Sequence, residues 1–385
     1  MSPAERTVAV LSTGRQDWGI LHSTCVALRE RTDLRLRLLV GGMHLSPAHG
    51  STVELVRADG FEPDATLEWL DAADSPADVQ ASGALASVGA ELRARPVDAL
   101  VLAGDRFETA AAALAATVCR VPLVHLHGGE QTLGAFDDAL RHAITKLAHL
   151  HLVSHDEHAR RVIAMGEDPT TVHVVGAPAL DALHRPDLPD RAALERDLGI
   201  ELRPPVVLVT VHPATLDPDP AAVAGVVAAA MDAVPATYVV TLPNVDPGAA
   251  SVRETLVAAA AGGDRRVAVE ALGERRYWGL MRIADAMLGN SSSAIVEAPA
   301  VDLPAVDVGM RQAGRRRDAN VVAAPMDADG VAEALRRAFD PALRAALIAA
   351  HPAALDGRAG QRVAAIIAAW RPPIPPRKPP IRLRS

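Results

Sequence analysis

His127-Gly128-Gly129-Glu130, then Asp137-Asp138 and Arg141-His142-Ala143-Ile144-Thr145-Lys146, bring three carboxylates, two histidines and two permanent cations into twenty residues. Carboxylates and imidazoles at that density suit proton transfer, and the glycine pair lets the backbone turn sharply before Glu130. The segment follows an apolar run, Val121 to Leu126, that reads as a buried strand. Ligands of open α/β sheets bind at the carboxyl ends of such strands. A capped helix with solvated ion pairs accounts for Asp138 and Arg141. It does not account for a glutamate, a histidine and two glycines at the mouth of a buried strand, so a functional role is favoured there.

Other strand ends carry polar residues too. Ser12-Thr13-Gly14-Arg15-Gln16-Asp17 follows the first strand. A helix start with free N–H groups and the fixed fork of Arg15 suit a phosphate-bearing ligand, although an ordinary strand-to-helix turn explains the residues equally well. Neither GxxxxGK[ST] nor GxGxxG spacing is present. Gly41-Gly42-Met43-His44 brings an imidazole to the same sheet edge, where a lone histidine is more often structural than catalytic. In Gly104-Asp105-Arg106-Phe107-Glu108, Asp105 fits a helix N-cap, yet Asp105 and Arg106 would still project into the crevice.

In the second half, Val211-His212-Pro213 and Pro243-Asn244-Val245-Asp246 end two further strands. Gly289-Asn290-Ser291-Ser292-Ser293 enters a helix carrying Glu297. Small hydroxyl residues at a helix start present N–H and O–H donors to a diphosphate, and Glu297 is spaced to accept from ribose hydroxyls. Serine capping alone needs one serine, not three. Arg311, Arg315, Arg316 and Arg317 add positive charge, although a run of arginines is usually a solvated face.

The elements that must position these residues follow from periodicity. Val8 to Leu11, Leu34 to Val40, Ala99 to Ala103, Val121 to Leu126, His149 to Val153 and Val172 to Val175 alternate with alanine-rich helical stretches. A second series comprises Val206 to Val211, Tyr238 to Leu242, Val267 to Val269, Ala286 to Leu288, Ala305 to Val308 and Val321 to Ala323. Such alternation predicts two successive parallel sheets covered by helices, an α/β chain of two Rossmann-like, doubly wound domains. The proline-rich stretch from Leu183 to Pro205, around a short helix at Arg191 to Leu198, is the expected linker. The domains are therefore placed at 1–183 and 184–369, with a disordered Pro/Arg-rich tail at 370–385.

Composition narrows the class. The 385 residues are 49% hydrophobic and 3% aromatic, with a formal charge of −8, which argues against a nucleic-acid partner needing a basic face and stacking platforms. The first ten residues lack a signal-peptide pattern and no apolar run spans a membrane, so the cytoplasm is the expected location, with no membrane partner. Cys25 and Cys119 lie far apart among apolar neighbours and read as reduced thiols. No metal-ligand spacing is evident.

Taken in order, TGRQDWG, GGMHLS, GDRFE, HGGEQTLGAFDDALRHAITK, VGAPALD, HPAT, LPNVDPG, GNSSSAIVEAP and GMRQAGR resemble the hydrolysing branch of the UDP-N-acetylglucosamine 2-epimerase family, which serves sialic-acid-type sugar biosynthesis. Non-hydrolysing members carry an HVEAGLR-like strand end instead. Gln16, Trp18 and Ala294 depart from the family's usual alanine, tyrosine and glycine. The resemblance implies a glycosyltransferase-B-like pair of domains facing across a cleft, a UDP-sugar substrate, no cofactor or metal, and a homodimer or homotetramer. It implies a 2-acetamidoglucal intermediate, with Asp105, Glu130, Asp137 and His212 catalytic. By motif position, Arg15, His44, Arg106, His127, Asn244, Ser291, Ser292, Ser293, Glu297 and Arg311 would bind the UDP-sugar. A transferase using the same cleft, a non-hydrolysing epimerase and a non-catalytic nucleotide-sugar sensor are the alternatives.

Overall fold

The computed structural model describes residues 5–70, 75–133, 135–214, 219, 221–243, 246–315, 317–350, 356–372 and 376–378. They form two compact units, one from Met1–Glu130, Asp137–Ala182 and Asp356–Ser385, the other from Gln131–Phe136 and Leu183–Leu355.

The first unit is built on strands β1 (Arg6–Ser12), β2 (Leu34–Gly41), β3 (Ala65–Leu67), β4 (Ala99–Ala103), β5 (Leu123–Leu126), β6 (Leu150–Val153) and β7 (Val172–Val174). They pair in the order β3-β2-β1-β4-β5-β6-β7, every neighbour parallel. Its helices are α1 (Arg15–Arg29), α2 (Val53–Ala58), α3 (Ala77–Ala94), α4 (Phe107–Val118), α5 (Asp137–Leu147) and α6 (Asp156–Ala164). Side chains alternate across a strand, so β1 feeds two cores. Val8 and Val10 pack with Leu21, Cys25 and Leu28 of α1. Ala9 and Leu11 pack with Ala84, Val88 and Leu92 of α3 and Ala112 and Ala116 of α4. Burial on both faces is why these strands read as continuous apolar runs. Strand order reverses between β1 and β4, which opens a crevice at their carboxyl ends.

The second unit repeats the plan. Strands β8 (Val206–Thr210), β9 (Thr237–Thr241), β10 (Arg266–Val269), β11 (Ala286–Gly289), β12 (Ala305–Val308) and β13 (Val321–Ala324) pair in the parallel order β10-β9-β8-β11-β12-β13, reversing between β8 and β11. Around them lie α7 (Arg191–Leu198), α8 (Ala222–Ala233), α9 (Ala249–Ala261), α10 (Gly273–Ile283), α11 (Ser293–Val296), α12 (Ala328–Ala338) and α13 (Pro341–Ala349). All twelve apolar runs are strands. The additional one, β3, is three residues at a sheet edge, too short for a periodic signal. The expected linker helix α7 buries Leu194 and Leu198 and packs on α10, which makes it part of the second unit.

The last helix, α14 (Ala359–Ala369), lies in the first unit, not in the second to which the sequence reading assigned it. Its apolar stripe, Val363 and Ile367, joins the α1 face of the core. Asp181 accepts from the N–H groups of Ala359 and Gly360 at 3.0 and 2.7 Å, a carboxylate at the positive end of the helix. Arg6 binds the carbonyls of Ile367, Ala368 and Trp370 at the other end. Both ends are thus fastened by residues of the first unit. In the Pro/Arg-rich tail, Lys378 is docked: its ammonium donates to the carbonyls of Thr145 and Lys146 and pairs with Glu167 at 2.5 Å.

Both cysteines are free thiols. Cys25 is buried and burial pushes its pKa up, while Cys119 is half-buried at the end of α4. Among the described residues, no helix is long and apolar enough to cross a membrane.

Burial alone would raise the Glu167 pKa, but Lys146, Lys378 and His151, at 2.6, 2.5 and 3.1 Å, hold the carboxyl at about 2 against an ordinary value of 4.5. A depressed folded-state pKa contributes stability that is full above the unfolded value and lost as pH falls through the folded one. Glu167→Gln should therefore lower the melting temperature by about 5 °C at pH 7. Scanning calorimetry should show the gap between variant and wild type closing between pH 4.5 and about 2.

Candidate active site

In the first unit the polar strand ends converge on one guanidinium. Arg141 lies one helical turn into α5, and its side chain is almost wholly buried. It forms an ion pair with Asp105 in the loop after β4, and donates to Asp138 at 3.2 Å and to the backbone carbonyl of Glu130 at 3.0 Å. A buried charge is tolerated only when its donors are met, so the three oxygens and the cation fix one another. His142 stands 3.5 Å from Asp138, and burial lowers its pKa.

Beneath this group, His125 on β5 sets the turn that carries Asp105. Its Nε2 donates to the carbonyl of Gly104 at 2.8 Å, and Nδ1 faces the hydroxyl of Thr145 on α5 at 3.2 Å. Burial pushes its pKa down to about 3, so the ring is neutral and serves as a brace between β4, β5 and α5.

Glu130 is buried after the glycine pair. Its Oε1 receives His127 Nδ1 at 2.7 Å and the Ser154 hydroxyl at 3.2 Å, and Ser154 faces His158 Nδ1 at 2.9 Å. Burial pushes His158 down to about 4. Gly129 makes the turn possible: its φ is +80°, and a Cβ there would lie 2.4 Å from the carbonyl of His158. Asp137 opens α5 beside Asp138.

The remaining first-unit candidates divide. Arg15 begins α1 beside the switch point, and its turn is secured by Asp17, which accepts from the Thr13 N–H at 2.9 Å and hydroxyl at 2.5 Å. Burial raises the pKa of Asp17. His44 does not present itself to a ligand in this arrangement: Ser12 and Thr52 occupy its two nitrogens at 2.8 and 2.9 Å, and burial pushes it down to about 4. Arg106 is committed to Glu108 through two 3.1 Å bonds within the buried start of α4.

In the second unit the switch point is closed by Asn290. At the end of β11, its amide oxygen accepts from the His212 N–H at 2.7 Å and its amide nitrogen donates to the His212 carbonyl at 2.8 Å, which ties the β8 end to β11. The backbone carbonyl of Asn290 in turn receives Arg311 at 3.2 Å and Gln312 at 2.8 Å. His212, the serine turn and the arginine loop are thereby one assembly. Ser291 is buried and accepts from the N–H of Ser293 at 3.3 Å. Ser292 precedes α11, and Glu297 ends it. That helix is four residues long, because Pro299 cannot extend it and a 3₁₀ turn follows. In the arginine run, Arg315 reaches the Thr132 hydroxyl at 3.1 Å, and Arg317 pairs with buried Asp307 at 2.5 Å. Burial raises Asp307 to about 6 despite the arginine. Asn244 and Arg316 lie outside the described residues.

Arg141, Asn290, Ser154, His158 and Gln312 were not assigned to the site from sequence. The polar pair Ser154-His155 directly after the apolar run ending at Val153 was an available signal. No comparable signal marks Asn290 as a bridge.

Two doubly wound parallel sheets, each with its polar residues at the switch point, define a glycosyltransferase-B-type fold. The chain belongs to the UDP-N-acetylglucosamine 2-epimerase family, whose model matches residues 26–368. The GDP/UDP-N,N'-diacetylbacillosamine 2-epimerase (hydrolyzing) of Campylobacter jejuni is 32% identical over 324 residues, 83% of this chain and 84% of that protein. The UDP-N,N'-diacetylbacillosamine 2-epimerase (hydrolyzing) of Legionella pneumophila is 32% identical over 344 residues, 87% and 89% of the two chains. Among solved structures, the Neisseria meningitidis UDP-GlcNAc 2-epimerase bound to UDP-GlcNAc shares the fold, with a TM-score of 0.79 at 15% identity over 94% of this chain and 100% of that one.

Gly60 offers a control for the turn at Gly129, since its φ is +81° but a Cβ there would meet nothing within 4 Å. Gly60→Ala should lose only the cost of left-handed backbone, about 1 kcal/mol. Gly129→Ala should lose at least about 2 kcal/mol more, because the added clash is with backbone. Urea unfolding of the two variants measures the difference.

Proposed function

We propose that this protein is a hydrolysing 2-epimerase that converts a UDP-2-acetamido sugar to UDP and the free manno-configured sugar. The observation that carries the reading is the group around buried Arg141, which pairs with the Asp105 and Asp138 carboxylates and binds the backbone carbonyl of Glu130, whose own carboxylate is bonded to His127. A transferase needs no such set of proton-handling groups. The relatives at 32% identity, both named as hydrolysing 2-epimerases, support the same choice.

Elimination breaks the C1–O bond to UDP while the C2 proton leaves, forming the 2-acetamidoglucal. Water then adds at C1 and C2 is reprotonated on the opposite face. Removal and delivery on two faces need more than one acid or base. Asp105 or Glu130 serves the C2 proton, and Asp137, at the start of α5, steers water.

In the second unit, Ser291, Ser292 and Ser293 offer donors to the diphosphate, Arg311 adds charge, His212 stabilises the departing UDP and Glu297 takes the ribose. Charge grows on the leaving diphosphate, so donors aimed there contribute most in the transition state.

The sugar's C4 substituent is an acetamido or a hydroxyl group, and a two-substrate panel separates these cases. Incubation with UDP-N-acetylglucosamine and with UDP-N,N'-diacetylbacillosamine, without acceptor, should release UDP and one free manno-type sugar in equal amounts from at least one. Proton NMR and UDP quantitation read both. Glu130→Gln should lower kcat by about 10²-fold or more, while Ser291→Ala should chiefly raise KM, by roughly tenfold. Glycosyl transfer that requires an acceptor, or near-native turnover by Glu130→Gln, contradicts the reading.

A further inference from the structure

We propose that His127 is the catalytic base at C2 and that Glu130 acts through it as a positioning residue. The inference rests on the hydrolysing-epimerase reading and reassigns its first proton transfer from a carboxylate to an imidazole.

Three features of His127 converge. Its ring is more than nine-tenths buried, and while Nδ1 is bonded to Glu130 at 2.7 Å, Nε2 is buried with no hydrogen-bond partner. A buried imidazole nitrogen left unmet loses its hydration without return, unless a ligand or a reacting group completes it. The backbone of His127 is left-handed, with φ of +63°. A residue with a Cβ holds that conformation at a cost of roughly 1–2 kcal/mol. The turn therefore spends stability to aim this side chain. Thirdly, the bonds select the tautomer. Glu130 Oε1 receives two donors, His127 Nδ1 and the Ser154 hydroxyl, as an ionised carboxylate does. With the proton on Nδ1, the neutral ring carries its lone pair on Nε2, the unpartnered atom.

The pair has the logic of the imidazole–carboxylate dyad in nucleophilic enzymes, where the acid fixes the tautomer and stabilises the imidazolium. Glu130 Oε1 already accepts from two donors, one of them the ring it positions. Its neighbour His158 is engaged with Ser154 and is held at about 4. In the step itself, the C2–H electron pair becomes the C1=C2 π bond, and the C1–O pair departs on UDP. The proton passes to Nε2, and the resulting imidazolium is neutralised across Nδ1 by Glu130. Gly128 and Gly129 serve this geometry by bringing Glu130 back under the ring within three residues.

A double-mutant cycle tests the proposal. His127→Gln should lower kcat about 10²- to 10⁴-fold, with KM changed less than about threefold and the melting temperature preserved within a few degrees. The His127→Gln/Glu130→Gln double variant should be no slower than His127→Gln alone, within about threefold, since the carboxylate has nothing left to act through. Near-native kcat in His127→Gln, or a multiplicative loss in the double variant, overturns the role while leaving the functional reading intact. Failure of the wild type to turn over any UDP-2-acetamido sugar overturns both. Nitrogen-15 NMR of the ring in the free protein gives an activity-independent arm. The Nδ1–H tautomer with unprotonated Nε2 is expected, and the Nε2–H tautomer contradicts the dyad.

Discussion

The arrangement of the first unit depends on where the charge of Arg141 is satisfied. A guanidinium removed from water must find carboxylates and carbonyls in fixed directions. The three oxygens that meet it come from the β4 loop, the β5 loop and the first turn of α5. The sheet and α5 bring these segments together, but the directions of their polar side chains remain to be fixed. Electrostatics does that work, and the neutral brace of His125 holds the backbone beneath. The parallel sheet supplies the adjacency of β4 and β5, and the ion pairs convert adjacency into a constellation that can handle protons.

The second unit solves a different problem with a neutral amide. Asn290 satisfies both backbone groups of His212, so the β8 and β11 ends cannot drift apart without orphaning two buried polar groups. Its own carbonyl recruits Arg311 and Gln312. The tie between the β8 and β11 ends is thus an uncharged amide. A neutral tie suits a site whose ligand brings its own negative charge. The first unit differs: its ties are ion pairs among Arg141, Asp105 and Asp138.

Much of this was legible in the residues. Twelve strands announced themselves as apolar runs because both faces of a parallel sheet are buried, and Glu130 stood out because glutamate and two glycines have no structural reason to follow such a run. The partners were harder to see. Asp105 and Arg141 are separated by 36 residues and meet only because β4 and β5 are neighbours. Helical spacing explained Arg141 locally, through Asp138, and so concealed its longer reach. His44 looked like a strand-end ligand, but hydroxyls eight and thirty-two residues away consume its nitrogens. The serine turn does open a helix, but it ends at Val296 with Glu297 capping it, a limit that Pro299 sets locally. The last helix looked contiguous with the second domain, whereas its apolar stripe matches α1. The partners of Arg141 and His44 and the place of the last helix are set by tertiary contacts that no local pattern encodes.

The central claim is that the chemistry passes through removal and return of the proton on C2. Running the reaction in deuterated water and reading the released sugar by proton NMR tests it most directly. One deuterium at C2 of a free manno-configured product is the predicted result. A released sugar that retains its C2 proton, or that keeps the gluco configuration, would contradict the account.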